Sequence, residues 1–209
     1  MAAAVLVLSG GISGQQTATH FVDVLTMSPA EPEESCSPRG RGCVSGGGEL
    51  PLAIESLIFD RDAYVWSEDV LAEIVVVNRG RSSVRFPSSL KRPPCDELQR
   101  DGWMPPHASL IVEFTDRSRN TVTLYDPLTL YYGVDSTSAI DLAPNETIRF
   151  RVPIHLRDGL FRPEGFALSS MPIRMSAIAK WLIDLAPAQC ATQFTKPSAS
   201  VTVSLRRPD

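Results

Sequence analysis

Any chemistry performed by this chain must come from a short set of side chains, and their spacing limits it at once. Ser88 and Lys91 form an S-x-x-K pair. In penicillin-binding enzymes that spacing sets a nucleophilic serine beside an activating lysine at the start of a helix. Here Pro87 precedes the pair and Pro93 and Pro94 follow it, so no helix of useful length can begin, and the S-D-N and K-T-G partner motifs do not occur. An ordinary solvated loop is the expectation. The histidines, His20, His107 and His155, lie far apart and never at H-E-x-x-H spacing, which argues against zinc. Asp60, Asp62, Glu68 and Asp69 carry the oxygen atoms that calcium prefers, but EF-hand spacing is missing and acidic turns are usually just solvated. Asn145-Glu146-Thr147 satisfies the N-glycosylation pattern, which matters only in a eukaryotic source. No constellation demands a reaction, so the reading is a non-catalytic protein without metal or cofactor.

Four cysteines, Cys36, Cys43, Cys95 and Cys190, fit no C-x-x-C metal or redox spacing. An even number allows three pairings. The preferred one joins Cys36 to Cys43 around a short Pro- and Gly-containing loop and Cys95 to Cys190 as a long-range staple. Four free, partly buried thiols in a cytosolic protein are the alternative. Residues 1–8 are almost wholly apolar and small residues follow, like the end of a signal peptide whose charged start is missing. With the cysteines, this points to an extracytoplasmic protein, secreted or periplasmic. No later segment approaches the roughly 20 apolar residues of a membrane span, so stable membrane insertion is not expected.

Charge narrows the partners. The chain carries 20 Lys and Arg against 24 Asp and Glu, a net charge of -4, with both signs scattered. A nucleic-acid footprint needs a basic stripe to neutralise phosphates, and a membrane-surface patch needs a polybasic cluster. Neither is present, so the partner is expected to be another protein.

These residues must be positioned by strands. Residues 1–14 read as a truncated signal peptide, and 15–50, rich in Pro, Gly, Ser and Glu, as a leader or linker largely without order. From 51 to 209 the apolar residues recur at a period of two. Ile148, Phe150, Val152 and Ile154 fall on one face of a strand, with Arg149 and Arg151 on the other. Ala199, Val201, Val203 and Leu205 repeat the pattern, as do Leu110, Val112 and Phe114, and Ile173, Met175, Ala177, Ala179 and Trp181. Residues 70–77 are nearly continuously apolar and predict a central strand. Weaker strands are predicted at 54–59, 84–86, 121–125 and 129–132. The 177–188 stretch has Ala and Leu content that would support one short helix. Eight or nine strands with little or no helix define an all-β, antiparallel sandwich.

A resemblance gives the sandwich a name. Ile58-Phe59-Asp60-Arg61-Asp62-Ala63-Tyr64-Val65-Trp66-Ser67-Glu68-Asp69, followed by a hydrophobic strand ending in Asn78-Arg79-Gly80, resembles the opening of immunoglobulin-like modules of bacterial extracytoplasmic proteins. Val84-Arg85-Phe86-Pro87 and Leu142-Ala143-Pro144-Asn145-Glu146-Thr147 are similar to the proteinase-inhibitor branch of those modules. The resemblance covers about residues 52–154 and implies an immunoglobulin-like fold far more than a function.

The chain departs from that pattern at residues 90–107 and 161–196, and the inserts at 90–107 and 159–185 hold the candidate binding surface. In the first, His107 and Trp103 sit in a proline-containing loop near Cys95. In the second, Phe161, Phe166 and Met171 belong to a segment too apolar for one edge hairpin. It either completes the core or forms a contact patch of the aromatic and Met-rich kind that interfaces favour. The functional expectation is an exported interaction module acting by protein contact, in adhesion, envelope or accessory roles. A proteinase inhibitor presenting a loop stiffened by Cys95 and its prolines is the alternative. An enzyme whose site assembles from distant residues comes third.

Overall fold

The computed structural model describes residues 20–27, 49–66, 68–91, 107–119, 121–132, 139–156, 171–184 and 192–206. Among them the chain forms β1 (His20–Asp23), β2 (Glu49–Phe59), β3 (Ala63–Val65), β4 (Asp69–Asn78), β5 (Val84–Pro87) and β6 (His107–Asp116). There follow β7 (Thr121–Tyr131), β8 (Ala139–Leu142), β9 (Thr147–His155), β10 (Ile173–Asp184), β11 (Thr192–Lys196) and β12 (Val201–Arg206). One 3-10 turn, Val24–Thr26, is capped by the Asp23 carboxylate, which accepts from the Leu25 amide at 3.1 Å. No α-helix occurs among the described residues, and residues 177–184 belong to β10 instead of a helix.

Period-two patterning is what makes these strands. In β9, Ile148, Phe150, Val152 and Ile154 are buried, Arg149 is half-buried and Arg151 is exposed. β4 lies between β2 and β9, with Val70, Ala72, Ile74 and Val76 in the core and Leu71, Glu73 and Val75 half-covered on the other face. β10 sends Met175, Ala177, Ala179, Trp181 and Ile183 inward, so this half of the 159–185 segment completes the core. β6 departs from simple alternation. Its residues from His107 to Val112 are buried on both faces, as befits a strand held between β10 and β7.

The pairing corrects the purely antiparallel expectation. Ten strands are joined in one sheet, in the order β1-β9-β4-β2-β11-β10-β12-β3, with β6 on β10 and β7 on β6, while β5 and β8 form a separate ribbon. β1 runs parallel to β9, β11 to β2 and β12 to β3. Parallel neighbours need connections that cross over, and such connections leave no local signature in the sequence. Along the sheet β9 and β10 are four places apart, which in a flat sheet would separate them by about 19 Å. Yet the Phe150 ring of β9 lies 5.3 Å from the Trp181 ring of β10. The sheet therefore curls until its two wings face each other, and Phe86 of β5 fills the seam at 5.3 Å from Phe150 and 5.4 Å from Trp181.

The 15–50 stretch is not featureless. Residues 20–27 dock on β9 and place Val22 and Val24 in the core, and β2 already begins at Glu49. The short run of His20-Phe21-Val22-Asp23 offers too little alternation to be recognised without its partner strand.

Candidate functional site

The turn after β2 organises the most distinctive surface feature of the described residues. The Tyr64 hydroxyl donates to Asp60 Oδ1 at 2.8 Å and accepts from the Arg61 amide at 2.8 Å. Asp60 Oδ1 also accepts from the Leu71 amide at 3.1 Å, and Glu68 Oε2 accepts from the Val65 amide at 3.0 Å. The Arg61 guanidinium lies 4.8 Å from the centre of the Tyr64 ring, 3.5 Å from Asp60 Oδ2 and 3.6 Å from Glu68 Oε2. Burial pushes the Tyr64 hydroxyl up to about 12, helped by its hydrogen bond to Asp60. For Asp60, burial raises the carboxyl, but the Tyr64 and Leu71 hydrogen bonds and the Arg61 charge outweigh it and hold it below its ordinary value. Asp60, Tyr64 and Glu68 thus lock a hook of chain. They do not converge on a ligand.

Beside the hook lies an open cleft of about 510 Å³, walled by residues 57–59 of β2 and 201–203 of β12 and floored by the turn 60–62. Among the described residues, no strand lies between its two walls. β11 pairs with β2 only from Glu49 to Ala53, then leaves, and β12 takes over its place on β10. The Asp60 amide donates to Leu71 O, and main-chain groups alternate in direction along an antiparallel strand. Leu57 and Phe59 therefore aim their N–H and C=O away from β4, into the cleft. The Ser204 amide donates to Asp62 O at 2.8 Å, so Thr202 aims the same way from the opposite wall, short of the reach of β3, whose pairing begins at Ser204. None of these three has a strand partner on that side among the described residues. Ile58, 54% exposed, stands on the lip. The Asp62 carboxylate has no hydrogen bond or ion pair among the described residues.

Other sequence candidates fall elsewhere. Ser88 and Lys91 lie in extended, non-helical chain, where the Lys91 amide is bonded to Ser89 Oγ at 3.0 Å. His20 is 3.8 Å from Glu146 at one end of β9, and His155 is 2.6 Å from Asp69 at the other. Their register positions, Ile148 and residue 155, are separated by about 23 Å of strand. No group of three or more His, Cys, Asp or Glu able to hold a metal occurs among the described residues. His107 is not a loop residue: it opens β6, 8% exposed, with its ring 6.2 Å from that of Tyr131. Met171, 73% exposed, precedes the far end of β10. His107 pairs with Asp184 at the opposite end, about 36 Å away along that strand, so the two do not share a surface. Trp103, Phe161, Phe166, Cys36, Cys43, Cys95 and Cys190 lie outside the described residues. The cleft itself escaped the sequence reading. Its one signal is Leu57-Ile58-Phe59, apolar on both faces of a strand where alternation would put a polar residue at 58.

No known protein family matches the chain, and neither does any curated protein. Among solved structures, the chain is similar to an alkylpurine DNA glycosylase of Pseudomonas fluorescens (TM-score 0.33, 10% identity, 75% of this chain and 31% of that one). It is similar to the sporulation control protein Spo0M of Bacillus subtilis (0.33, 12%, 75% and 49%), and to AvmM, which catalyses a macrocyclization in alchivemycin A biosynthesis (0.39, 11%, 78% and 92%). The chain spans about a third to a half of the length of the first two. At these values no inference about activity passes to it.

Proposed function

We propose that this chain is an exported, immunoglobulin-like interaction module that acts by protein contact, with the cleft between β2 and β12 as its contact site. The carrying observation is the pair of strand edges, unpartnered among the described residues, that face one another there, with Ile58 on the lip. Extended polypeptide can satisfy such edges through its own main chain while side-chain pockets supply selectivity. The immunoglobulin-like assignment is supported by the facing wings and by Asn78, whose side chain ties β4 to the β5–β8 ribbon. Export is supported by the apolar residues 1–8 and the even number of cysteines. Within the described residues the acidic and histidine side chains are spread among separate ion pairs and turns, which favours contact over catalysis.

The test uses the tagged full chain as bait in the extracytoplasmic fraction of its source, beside Ile58→Asp and Asp62→Lys variants shown to be folded. A protein held by the unchanged chain and reduced about tenfold by both variants, a loss of roughly 1.4 kcal/mol each, is the expected result. Equal retention by all three, or no retained protein, overturns the reading.

A further inference from the structure

We propose that the cleft between β2 and β12 takes one extended segment of another protein, docked antiparallel to both walls, with apolar residues at alternate positions and a Lys or Arg on their N-terminal side. The inference rests on the contact reading above and gives that site its ligand chemistry and direction.

Direction comes from the walls. β11 and β12 are both antiparallel to β10, and β11 is parallel to β2. β2 and β12 therefore run the same way, so one strand laid between them is antiparallel to both or parallel to both. Antiparallel pairing is the more stable per residue. Main-chain groups alternate in direction along such a strand, so its residues opposite Leu57 and Phe59 bond to β2 while the residue between them turns to Thr202 on β12. One guest thus satisfies both edges at once.

Side-chain preference comes from the pleat. Residues directly opposite one another in a sheet share a face. Guest residues opposite Leu57 and Phe59 accordingly lie on the core side, where Leu57 and Val203 are buried, Phe59 and Val201 pack against the core, and the Phe59 ring stands 6.2 Å from that of Phe114. Those two positions call for apolar side chains. The guest residue between them shares the outward face of Ile58 and Thr202, both exposed. A core of about four residues, at roughly 3.4 Å each, covers the wall from Leu57 to Asp60.

Charge sets the remaining feature. Both walls lead to the turn 60–62, β2 by its C-terminal end and β12 through Ser204, whose amide donates to Asp62 O. Arg61 is already engaged there, 3.5 Å from Asp60 and 3.6 Å from Glu68. The Asp62 carboxylate is exposed and has no such partner among the described residues. An antiparallel guest brings its N-terminal end to this floor, so a cation just before its first apolar residue meets Asp62. A cation at the other end of the guest would not.

The test titrates acetylated, amidated hexapeptides into the full chain, read by calorimetry and by NMR exchange of the Leu57, Phe59 and Thr202 amides. Ser-Lys-Val-Thr-Val-Ser is expected to slow exchange at all three and to bind about tenfold more tightly than Ser-Val-Thr-Val-Lys-Ser, which moves the cation, or Ser-Glu-Val-Thr-Val-Ser, which reverses its charge. The Asp62→Lys variant should prefer the Glu peptide. Equal affinities, preference for the moved cation, binding that leaves the three amides unprotected, or amides already protected without peptide overturns the inference. If no peptide binds while the full-chain bait still holds a protein that Ile58→Asp releases, the contact reading stands and this inference falls. If the bait holds no protein, both fall.

Discussion

Asn78 carries more of the structure than its place at the end of β4 suggests. It is fully buried; its Nδ2 donates to Ser82 O and Leu142 O, both at 2.8 Å, and its Oδ1 accepts from the Gly80 amide at 2.9 Å. Its main chain also binds Glu146 O and the Asn145 amide. The sequence marks Asn78-Arg79-Gly80 as the end of a hydrophobic strand, but the bond to Leu142, 64 residues away, is not legible there, because nothing local encodes it. Asn78→Asp keeps the shape, removes both donors and buries a charge. Stranding two carbonyls should cost about 1–3 kcal/mol each, measured by denaturant unfolding; a loss below 1 kcal/mol would mean that the Asn78 bonds are not holding the ribbon. Gly80 is constrained beside it, since a Cβ there would lie 2.7 Å from Pro51 Cβ.

Tyr64 makes a pH-dependent prediction at the same scale. Its hydroxyl is pushed up to about 12 in the folded chain, above the ordinary value of 10, and partial burial likewise raises Tyr132, which donates to the Arg85 carbonyl at 2.8 Å, to about 12. A raised folded-state value means that the folded chain holds the proton more tightly than the unfolded one. This contribution is complete below pH 10 and is lost as the pH rises through 12. Asp60 works oppositely: its lowered value gives stability present above its ordinary value and lost as the pH falls through the folded one. Unfolding free energy should therefore decline between pH 10 and 12, and Tyr64→Phe should flatten that decline while lowering the plateau. A slope unchanged by Tyr64→Phe would show that the hook does not bind the proton as described.

Among elements, β9 was read most completely from sequence, because its alternation is long and uninterrupted, whereas the parallel placement of β1 beside it depends on a partner more than 120 positions away. The same contrast explains the cleft. Strand identity at residues 54–59 is local, but among the described residues the edge has no partner beyond Ala53 because the β11 pairing ends at Lys196, a fact of pairing. His107 shows the reverse error: Pro105 and Pro106 signal a loop, and the strand begins at the next residue. Register in β9 is testable, since a slip of one residue exchanges its faces. Phe150→Ala removes a fully buried ring from between Phe86 and Trp181 and should cost about 3–5 kcal/mol. Arg151→Ala loses only an ion pair to Asp23 at a half-exposed site and should cost about 1 kcal/mol or less. Equal losses in denaturant unfolding would remove the assignment of faces.

At the scale of the whole molecule, stability should be graded by how many neighbours each strand has. β4 is held by β2 and β9 over nearly its full length, and β6 and β10 by each other across ten register positions, from Met175 with Asp116 to Asp184 with His107. β1 and β3, of four and three residues, each rest on one partner strand among the described residues. Opening such edges exposes little apolar surface, so amide exchange there should run through local opening, while exchange in β4, β6 and β10 should require global unfolding. The cleft makes the sharpest form of this prediction. The Leu57, Phe59 and Thr202 amides lie inside regular strands yet face a gap, so they should exchange far faster than the Ile58 amide, which points to Glu73 on β4. Residue-resolved hydrogen exchange by NMR reads each of these directly. If Leu57 and Phe59 are protected as strongly as Ile58, something already pairs with the β2 edge, and the cleft is closed to any partner.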